Sequence, residues 1–514
     1  MPRPLRLPAL SAGLVAVLVL GACTASDDSP PSGSGTPASP TDQLSVEDVP
    51  QGMADYYGQE VAWEECGDGL QCADVTVPLD HDEPGGATID LAVTRQPTDD
   101  DARLGSLLLN PGGPGGSGTQ MVSSAEMLLS EDLMSRYDVV GFDPRGVHRS
   151  AAVDCVTDAE LDEQRSAGYD LESEAGLEAY TESAEELAAS CAENTGELLA
   201  HVDTESAARD LDVLRHVLGD ERLSYLGYSY GTMLGAVYAD LFPERVGRLV
   251  LDGGLDPSLS SHEVALGQAQ GFEEAVRAYA EDCLSGSGCP LSGDVDSAVD
   301  QVRRLLEVAD ATPLPTSSDR RLTGPLAASG ILLPLYEDAL WPVLTEALRQ
   351  AITENDGSQL LYLADLSADR QPDGSYATNS QEAFLAINCL DYPVDGDLAQ
   401  WQEQATELEE AAPTFGPMLG MGEVLCDVWP HESEAERTEV TAAGSAPVLV
   451  VGTTGDPATP YVWSEALADQ LDAGQLLTYD GEGHTAYGRS NACVTEAVDG
   501  YLLAGTLPEE DLVC

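Results

Sequence analysis

Lysine is absent from this chain. All 22 basic residues are arginine, set against 91 aspartates and glutamates, for a formal net charge of −69. A surface this acidic repels phosphate backbones and anionic headgroups, which argues against nucleic acid as a partner. It reads first as a solvated acidic face, with a secondary preference for cationic ligands. No C-x-x-C and no H-E-x-x-H occurs, so the cysteines and histidines carry no zinc pattern. The glycine-rich run at 110–118 has no G-K-[ST] after it and is not a phosphate loop. No cofactor and no metal are expected. Beyond residue 22, no run is long and apolar enough to span a bilayer.

The first residues are a targeting pattern. "MPRPLR" is basic, and "LPALSAGLVAVLVLGA" is apolar but short for a membrane span. It ends in Leu20-Gly21-Ala22-Cys23, the form of a bacterial lipobox, in which Cys23 is lipidated and becomes the first mature residue. A plain export signal with a coincidental cysteine is the other reading. Residues 24–43, "TASDDSPPSGSGTPASPTDQ", are too polar to build a core and read as a flexible tether. The expectation is a signal peptide at 1–22, a lipidated cysteine and tether at 23–45, and an exported protein held at the cell surface by its lipid or secreted. Of 11 cysteines, ten remain once Cys23 is set aside. They fall as near neighbours: Cys66/Cys72, Cys155/Cys191, Cys283/Cys289, Cys389/Cys426 and Cys493/Cys514. Five disulfides in an oxidising compartment follow, with their connectivity open.

A chain of 514 residues exceeds one ordinary core. Several runs of Val and Leu without alternation end at glycine-rich or acidic turns: 106–118, 137–146, 223–231, 246–257, 446–460 and 475–487. Such runs suit parallel strands buried on both faces. Helical stretches separate them, for example 204–219, with Thr204 as N-cap and Gly219 as C-cap. The fold class is α/β with a mostly parallel central sheet, and chemistry belongs beyond the carboxyl ends of its strands. Residues 258–440 are helical in pattern and lack buried-strand runs. They read as a cap inserted between a core of 46–257 and its completion at 441–514.

"YLGYSYGTMLGAVYADLF" contains Gly227-Tyr228-Ser229-Tyr230-Gly231, a G-x-S-x-G. With 50 glycines in the chain the pattern alone could arise by chance. Its setting decides: a buried strand leads in, and a helix with small residues Gly231 and Gly235 leads out. That is the sharp strand-to-helix turn that exposes a nucleophilic serine. A serine needs a base held by an acid. Of seven histidines, His484 alone directly follows a strand near the C-terminus, and Asp456 follows the preceding strand. The order Ser229, Asp456, His484 is that of α/β-hydrolases. His81, His148, His201, His216, His262 and His431 lack that setting and read as structural or surface residues. Backbone N–H groups of Tyr230 and of Gly113, in the early glycine loop, are the candidate oxyanion donors.

The blocks "NPGGPGGSG", "YDVVGFDPRGVHRS", "LSYLGYSYGTMLGAVYADLFPERVGRLVLDGGLDP", "AINCLDYP", "PVLVVGTTGDPATP" and "GEGHTAYGRSNACV" together resemble the secreted tripeptidyl aminopeptidases of actinobacteria. These are α/β-hydrolase serine exopeptidases related to prolyl aminopeptidases. The resemblance runs from about residue 60 to Cys514. It implies Ser229, Asp456 and His484 as the triad, cleavage of short peptides from free N-termini, a cap that restricts access, and a Cys493–Cys514 pair. It also implies an acidic group for the substrate's ammonium. Asp391 in "NCLDYP" is the candidate, with a loop-capping or ordinary surface aspartate as the alternative. Arg145 either orders the site or forms a structural ion pair. Asn110-Pro111 stands where prolyl enzymes carry a histidine, so a proline preference is not implied. The expected function is an extracytoplasmic serine exopeptidase acting on peptides, tripeptide release foremost. A carboxylesterase with the same triad and a non-catalytic peptide-binding lipoprotein are the alternatives. Epoxide or haloalkane hydrolysis would need aspartate at the elbow.

Overall fold

Long runs of apolar residues become the buried centre of a nine-stranded sheet. The computed structural model describes residues 44–46, 49–98, 100, 102–171 and 173–514. The strands are β1 Glu64–Gly67, β2 Leu70–Pro78, β3 Thr88–Gln96, β4 Gly105–Asn110, β5 Tyr137–Phe142, β6 Leu223–Tyr228, β7 Val246–Asp252, β8 Val448–Gly455 and β9 Gly474–Glu482. They lie side by side in the order β1-β2-β3-β5-β4-β6-β7-β8-β9. From β5 through β9 every neighbouring pair is parallel. All six residues of β4 and all six of β5 are buried, as expected where helices cover both faces. The expected signal peptide at 1–22, Cys23 and the tether up to residue 43 lie outside the described residues.

The antiparallel ribbon β1–β2–β3 had no counterpart in the sequence reading. Its signal is weak for a physical reason. β1 is wholly exposed, and β2 buries roughly every second residue, so no continuous apolar run marks either. The cap of the 204 helix also differs from expectation. The helix is Thr204–Val217 and its N-cap is Asp203, whose carboxylate accepts the Ser206 N–H at 2.8 Å. The Thr204 hydroxyl is engaged elsewhere, as described below. Gly219 lies one residue past the C-cap Leu218 with φ +85°, the left-handed position that glycine fills readily.

Between β7 and β8 the described chain is helical, including Ser261–Ser285, Val295–Ala311, Gly324–Leu335, Trp341–Arg349, Ser358–Leu366, Ser380–Asp391 and Leu398–Ala411. Most of these share an apolar cluster that includes Phe272, Val276, Tyr279, Val302, Ile331 and Leu360. Helix Ser380–Asp391 belongs to another cluster, in which Ala383, Ile387 and Leu390 join Tyr230 and Met233 of the helix after the elbow. The helical segment is therefore bonded into the sheet layer at the residues nearest the site. The ten cysteines pair as 66–72, 155–191, 283–289, 389–426 and 493–514. The 155–191 and 389–426 bridges span 36 and 37 residues. Each restricts the unfolded chain by roughly 4 kcal/mol on a chain-entropy argument.

Candidate active site

The site starts with a strained residue. Ser229 has φ 55° and ψ −126°, between the end of β6 and the helix Tyr230–Leu241. A side chain at positive φ is costly and persists only where its surroundings fix it. Here the Ser229 N–H donates to the Asp252 carbonyl at the end of β7, at 2.9 Å. On the other side, a Cβ on Gly231 would come within 2.8 Å of Asn110 Oδ1 and 3.0 Å of its carbonyl oxygen. Only glycine lets the helix start this close to β4. Ser229 itself is half-buried between buried Tyr228 and Tyr230 at the strand end.

The glycine loop lies against this turn. Gly112 has φ +88°, and a Cβ there would sit 2.3 Å from the Tyr228 carbonyl, 2.9 Å from Ser229 Cβ and 3.1 Å from the Tyr230 nitrogen. Its own N–H is taken by Asn110 Oδ1 at 2.9 Å. The Gly113 N–H makes no hydrogen bond among the described residues. The Tyr230 N–H, at the first position of its helix, has no intrahelical acceptor either. Two free amides thus flank the serine. Asn110, 1% exposed, braces the loop from the position where prolyl enzymes have histidine.

Asp456 and His484 arrive from the next two strands. His484 Nδ1 lies 2.8 Å from Asp456 Oδ1 and 3.0 Å from Oδ2. Asp456 Oδ1 also accepts the N–H groups of Ala458 and Thr459, at 3.0 and 2.9 Å. Oδ2 accepts the Thr459 hydroxyl at 3.1 Å and the Thr485 N–H at 3.0 Å. Burial by itself would raise the Asp456 pKa. The imidazole beside it and the converging donors outweigh that and hold it below the ordinary value, so it stays ionised. With Nδ1 on the carboxylate, Nε2 is the nitrogen left for the serine. The Ser229 hydroxyl makes no hydrogen bond to His484 in this structure, a contact that often tightens only with substrate bound. The two are neighbours through β7: Ser229 bonds Asp252, and a Cβ on the following Gly253 would lie 3.3 Å from His484 Cε1.

The His484 loop is held from three sides that the sequence did not signal. Its N–H donates to the Tyr336 carbonyl at 2.7 Å, and the Tyr336 ring stands edge-on to the imidazole, with centroids 5.4 Å apart. Arg489 Nε donates to the carbonyls of His484 and Thr485, both at 2.8 Å. Fully buried Asp252 accepts the N–H groups of Ala486 and Tyr487, at 3.0 and 2.7 Å. Burial pushes its carboxyl up to about 6 against the pull of those two donors. Tyr336 lies 148 residues before His484 (484 less 336), too far for any local pattern to pair them. Thr459 was legible in principle, since an aspartate that accepts N–H bonds two and three residues on is an Asx turn.

Packing bears on two further expectations. Asp391 does not face an open site. It is 3% exposed, with Oδ1 on the Thr204 N–H at 2.8 Å and Oδ2 on the Thr204 hydroxyl at 2.6 Å. Both oxygens are committed inside the protein, so it is not presented to a substrate ammonium. Arg145 is fully buried in an ion pair with Asp210, Nε and Nη2 each 2.7 Å from a carboxylate oxygen, and it also donates to three backbone carbonyls. Its role is structural. His81 joins the same aspartate at 2.8 Å, and His148 meets Asp143 at 3.2 Å.

A parallel sheet that turns through a serine elbow after β6 and carries aspartate and histidine beyond its last two strands defines an α/β-hydrolase, and the protein is a serine hydrolase. Residues 412–514 match the family described as TAP-like protein. The chain is 38% identical over 481 residues to the serine protease Hip1 of Mycobacterium tuberculosis, covering 89% of this chain and 91% of that one. It is 39% identical over 450 residues to carboxylesterase B of the same species, covering 86% of each. It is 32% identical over 469 residues to the tripeptidyl aminopeptidase of Streptomyces lividans, covering 88% of this chain and 86% of that one. The chain belongs to this tripeptidyl-aminopeptidase-like family of actinobacterial α/β-hydrolases. Among solved structures, a proline iminopeptidase of Mycobacterium smegmatis overlaps 84% of the chain and all of its own, at TM-score 0.32 and 16% identity. Among the described residues no helix is long and apolar enough to cross a membrane.

Proposed function

We propose that the protein is an extracytoplasmic exopeptidase that releases short peptides, tripeptides foremost, from free N-termini. Ser229 Oγ attacks the scissile carbonyl while His484 Nε2 takes its proton. The negative charge on the tetrahedral oxygen is received by the N–H groups of Gly113 and Tyr230. The imidazolium, held by Asp456, then gives its proton to the leaving amine, and water repeats the cycle on the acyl-enzyme. The observation that carries this reading is the pairing of His484 Nδ1 with buried, ionised Asp456, beyond the carboxyl ends of β9 and β8, as the elbow lies beyond that of β6. The peptidase names of the relatives from Mycobacterium and Streptomyces support peptide substrates. Helices 258–440, inserted between nucleophile and acid, support restricted access, with 46–257 and 441–514 as the core. A carboxylesterase reading is kept because one relative of equal similarity bears that name.

The test is hydrolysis of tripeptide-nitroanilides with free and N-acetylated termini, beside nitrophenyl esters, with Ser229→Ala as control. Free peptides should be cut far faster than blocked ones. Equal rates remove the exopeptidase claim, and turnover of esters alone selects the esterase. The lipid anchor at Cys23 is tested by whether Cys23→Ser releases the protein into the medium.

A further inference from the structure

Asp391, Thr204 and Tyr230 form a chain of hydrogen bonds that ends on the residue next to the nucleophile. Asp391 is the last residue of helix Ser380–Asp391. Its two oxygens hold the N–H and the hydroxyl of Thr204. Thr204 Oγ1 is in turn hydrogen-bonded to the Tyr230 phenol. Because the threonine proton goes to the carboxylate, the phenol is the donor of that last bond. Tyr230 is 5% exposed, so its hydroxyl has no water to fall back on. Helix capping does not account for this arrangement, since Asp203 caps the helix through Ser206. Charge pairing accounts for it only weakly, since the Arg437 guanidinium attracts the carboxylate without contacting it. Among the described residues no arginine or histidine forms an ion pair with Asp391, and burial is unfavourable to its charge.

What the chain does reach is the elbow. The Ser229 backbone is strained and must be fixed from both ends. The Asp252 carbonyl fixes the Ser229 N–H. On the far side the first anchored side chain is Tyr230, whose amide is one of the two free donors beside the serine. An oxyanion donor acts only within about 2.7–3.1 Å of the developing charge, so a shift of a few tenths of an ångström is felt in rate.

We propose that Asp391, Thr204 and Tyr230 form a positioning strut, by which the helical segment 258–440 sets the Tyr230 amide for the transition state. This rests on the assignment of that amide to the oxyanion. The strut acts on the transition state and not on substrate affinity, so its loss lowers kcat and leaves KM nearly unchanged.

The experiment uses the full chain, with a nitrophenyl ester and a tripeptide-nitroanilide as probes. Tyr230→Phe removes one oxygen atom from the strut, and Thr204→Val removes its central hydroxyl. Each should lower kcat about tenfold on both probes with KM within about twofold, a fraction of the 10²–10³ seen when a donor is lost outright. Thr204→Ser keeps the hydroxyl and should restore most of kcat. Should Thr204→Val fail to fold, Tyr230→Phe with its thermal midpoint carries the test alone. An unchanged kcat in Tyr230→Phe, with Ser229→Ala inert, overturns the strut and leaves the nucleophile assignment standing. A fall in kcat accompanied by an equal change in KM, or matched by loss of folded protein, also overturns it. Full activity in Ser229→Ala overturns the strut and the assignment together.

Discussion

Replacing Asp391 by asparagine should make the protein more stable at neutral pH and leave it unchanged in acid. Burial pushes the Asp391 carboxyl up to about 7, with the negative charge of Asp203 adding to the shift and the two Thr204 donors and the Arg437 charge opposing it. In the unfolded chain an aspartate titrates near 3.9. Between these values the folded state binds the proton and the unfolded state does not. Stability from this group is therefore highest below about pH 4 and falls by about 1.4 kcal/mol per pH unit up to about pH 7. The accumulated loss is on the order of 4 kcal/mol, a large fraction of a typical net stability. Asparagine keeps the carbonyl oxygen that accepts the Thr204 N–H and carries no charge. Asp252 and Asp220, each raised to about 6 by burial, contribute a similar slope, but they are present in both proteins and cancel in the difference. Urea unfolding of both proteins at pH 4.5, 6 and 8 measures that difference. It should grow with pH in favour of Asp391→Asn. A constant difference across that range would refute the assignment of a buried carboxyl with a raised pKa.

Asp456→Asn should lower kcat about 10⁴-fold while the protein stays folded, because the amide cannot hold the imidazole in the required tautomer; steady-state turnover of a nitrophenyl ester reads it directly. Gly112→Ala places a methyl 2.3 Å from the Tyr228 carbonyl at a positive φ, so both activity and thermal midpoint should fall, activity by tenfold or more. A wild-type midpoint with intact turnover would show that the loop is not pressed against the elbow. With a net charge of −69, self-repulsion opposes the folded state, so raising NaCl from 0.05 to about 1 M should raise the midpoint steadily.

The sheet and the triad were legible in the sequence because both rest on local signals. Most parallel strands carry an apolar stretch, shortest in β9, and each candidate catalytic residue closely follows a strand. The oxyanion loop was legible only as a glycine-rich turn. That Gly112 packs on the elbow while Gly113 keeps a free N–H depends on the Asn110 side chain, which a pattern of glycines does not reveal. The role of Asp391 stayed open between a substrate group and a capping residue for a related reason. Its position in "NCLDYP" shows a carboxylate near a helix end but not which way the helix faces. The structure turns that end inward onto Thr204. β1 and β2 escaped because they bury too few consecutive residues to stand out.

The contacts of the helical segment bear on how specificity and rate are linked. A Cβ on Gly115 of the glycine loop would meet the Ser380 carbonyl at 2.7 Å. The Tyr336 carbonyl holds the His484 N–H. Gly271 lies so close to the Asp456 loop that a Cβ would be 2.5 Å from the Pro457 carbonyl, and Gln268 donates to the Ala458 carbonyl at 3.0 Å. The glycine loop, His484 and the Asp456 loop are thus each touched by residues between 258 and 440. A lid that only admitted substrate would need none of these contacts. Substitutions in the segment that reshape access will therefore shift the reacting groups as well. Selecting variants for a new substrate should move kcat and KM together, except where the altered residue is remote from Ser380, Tyr336 and Gly271.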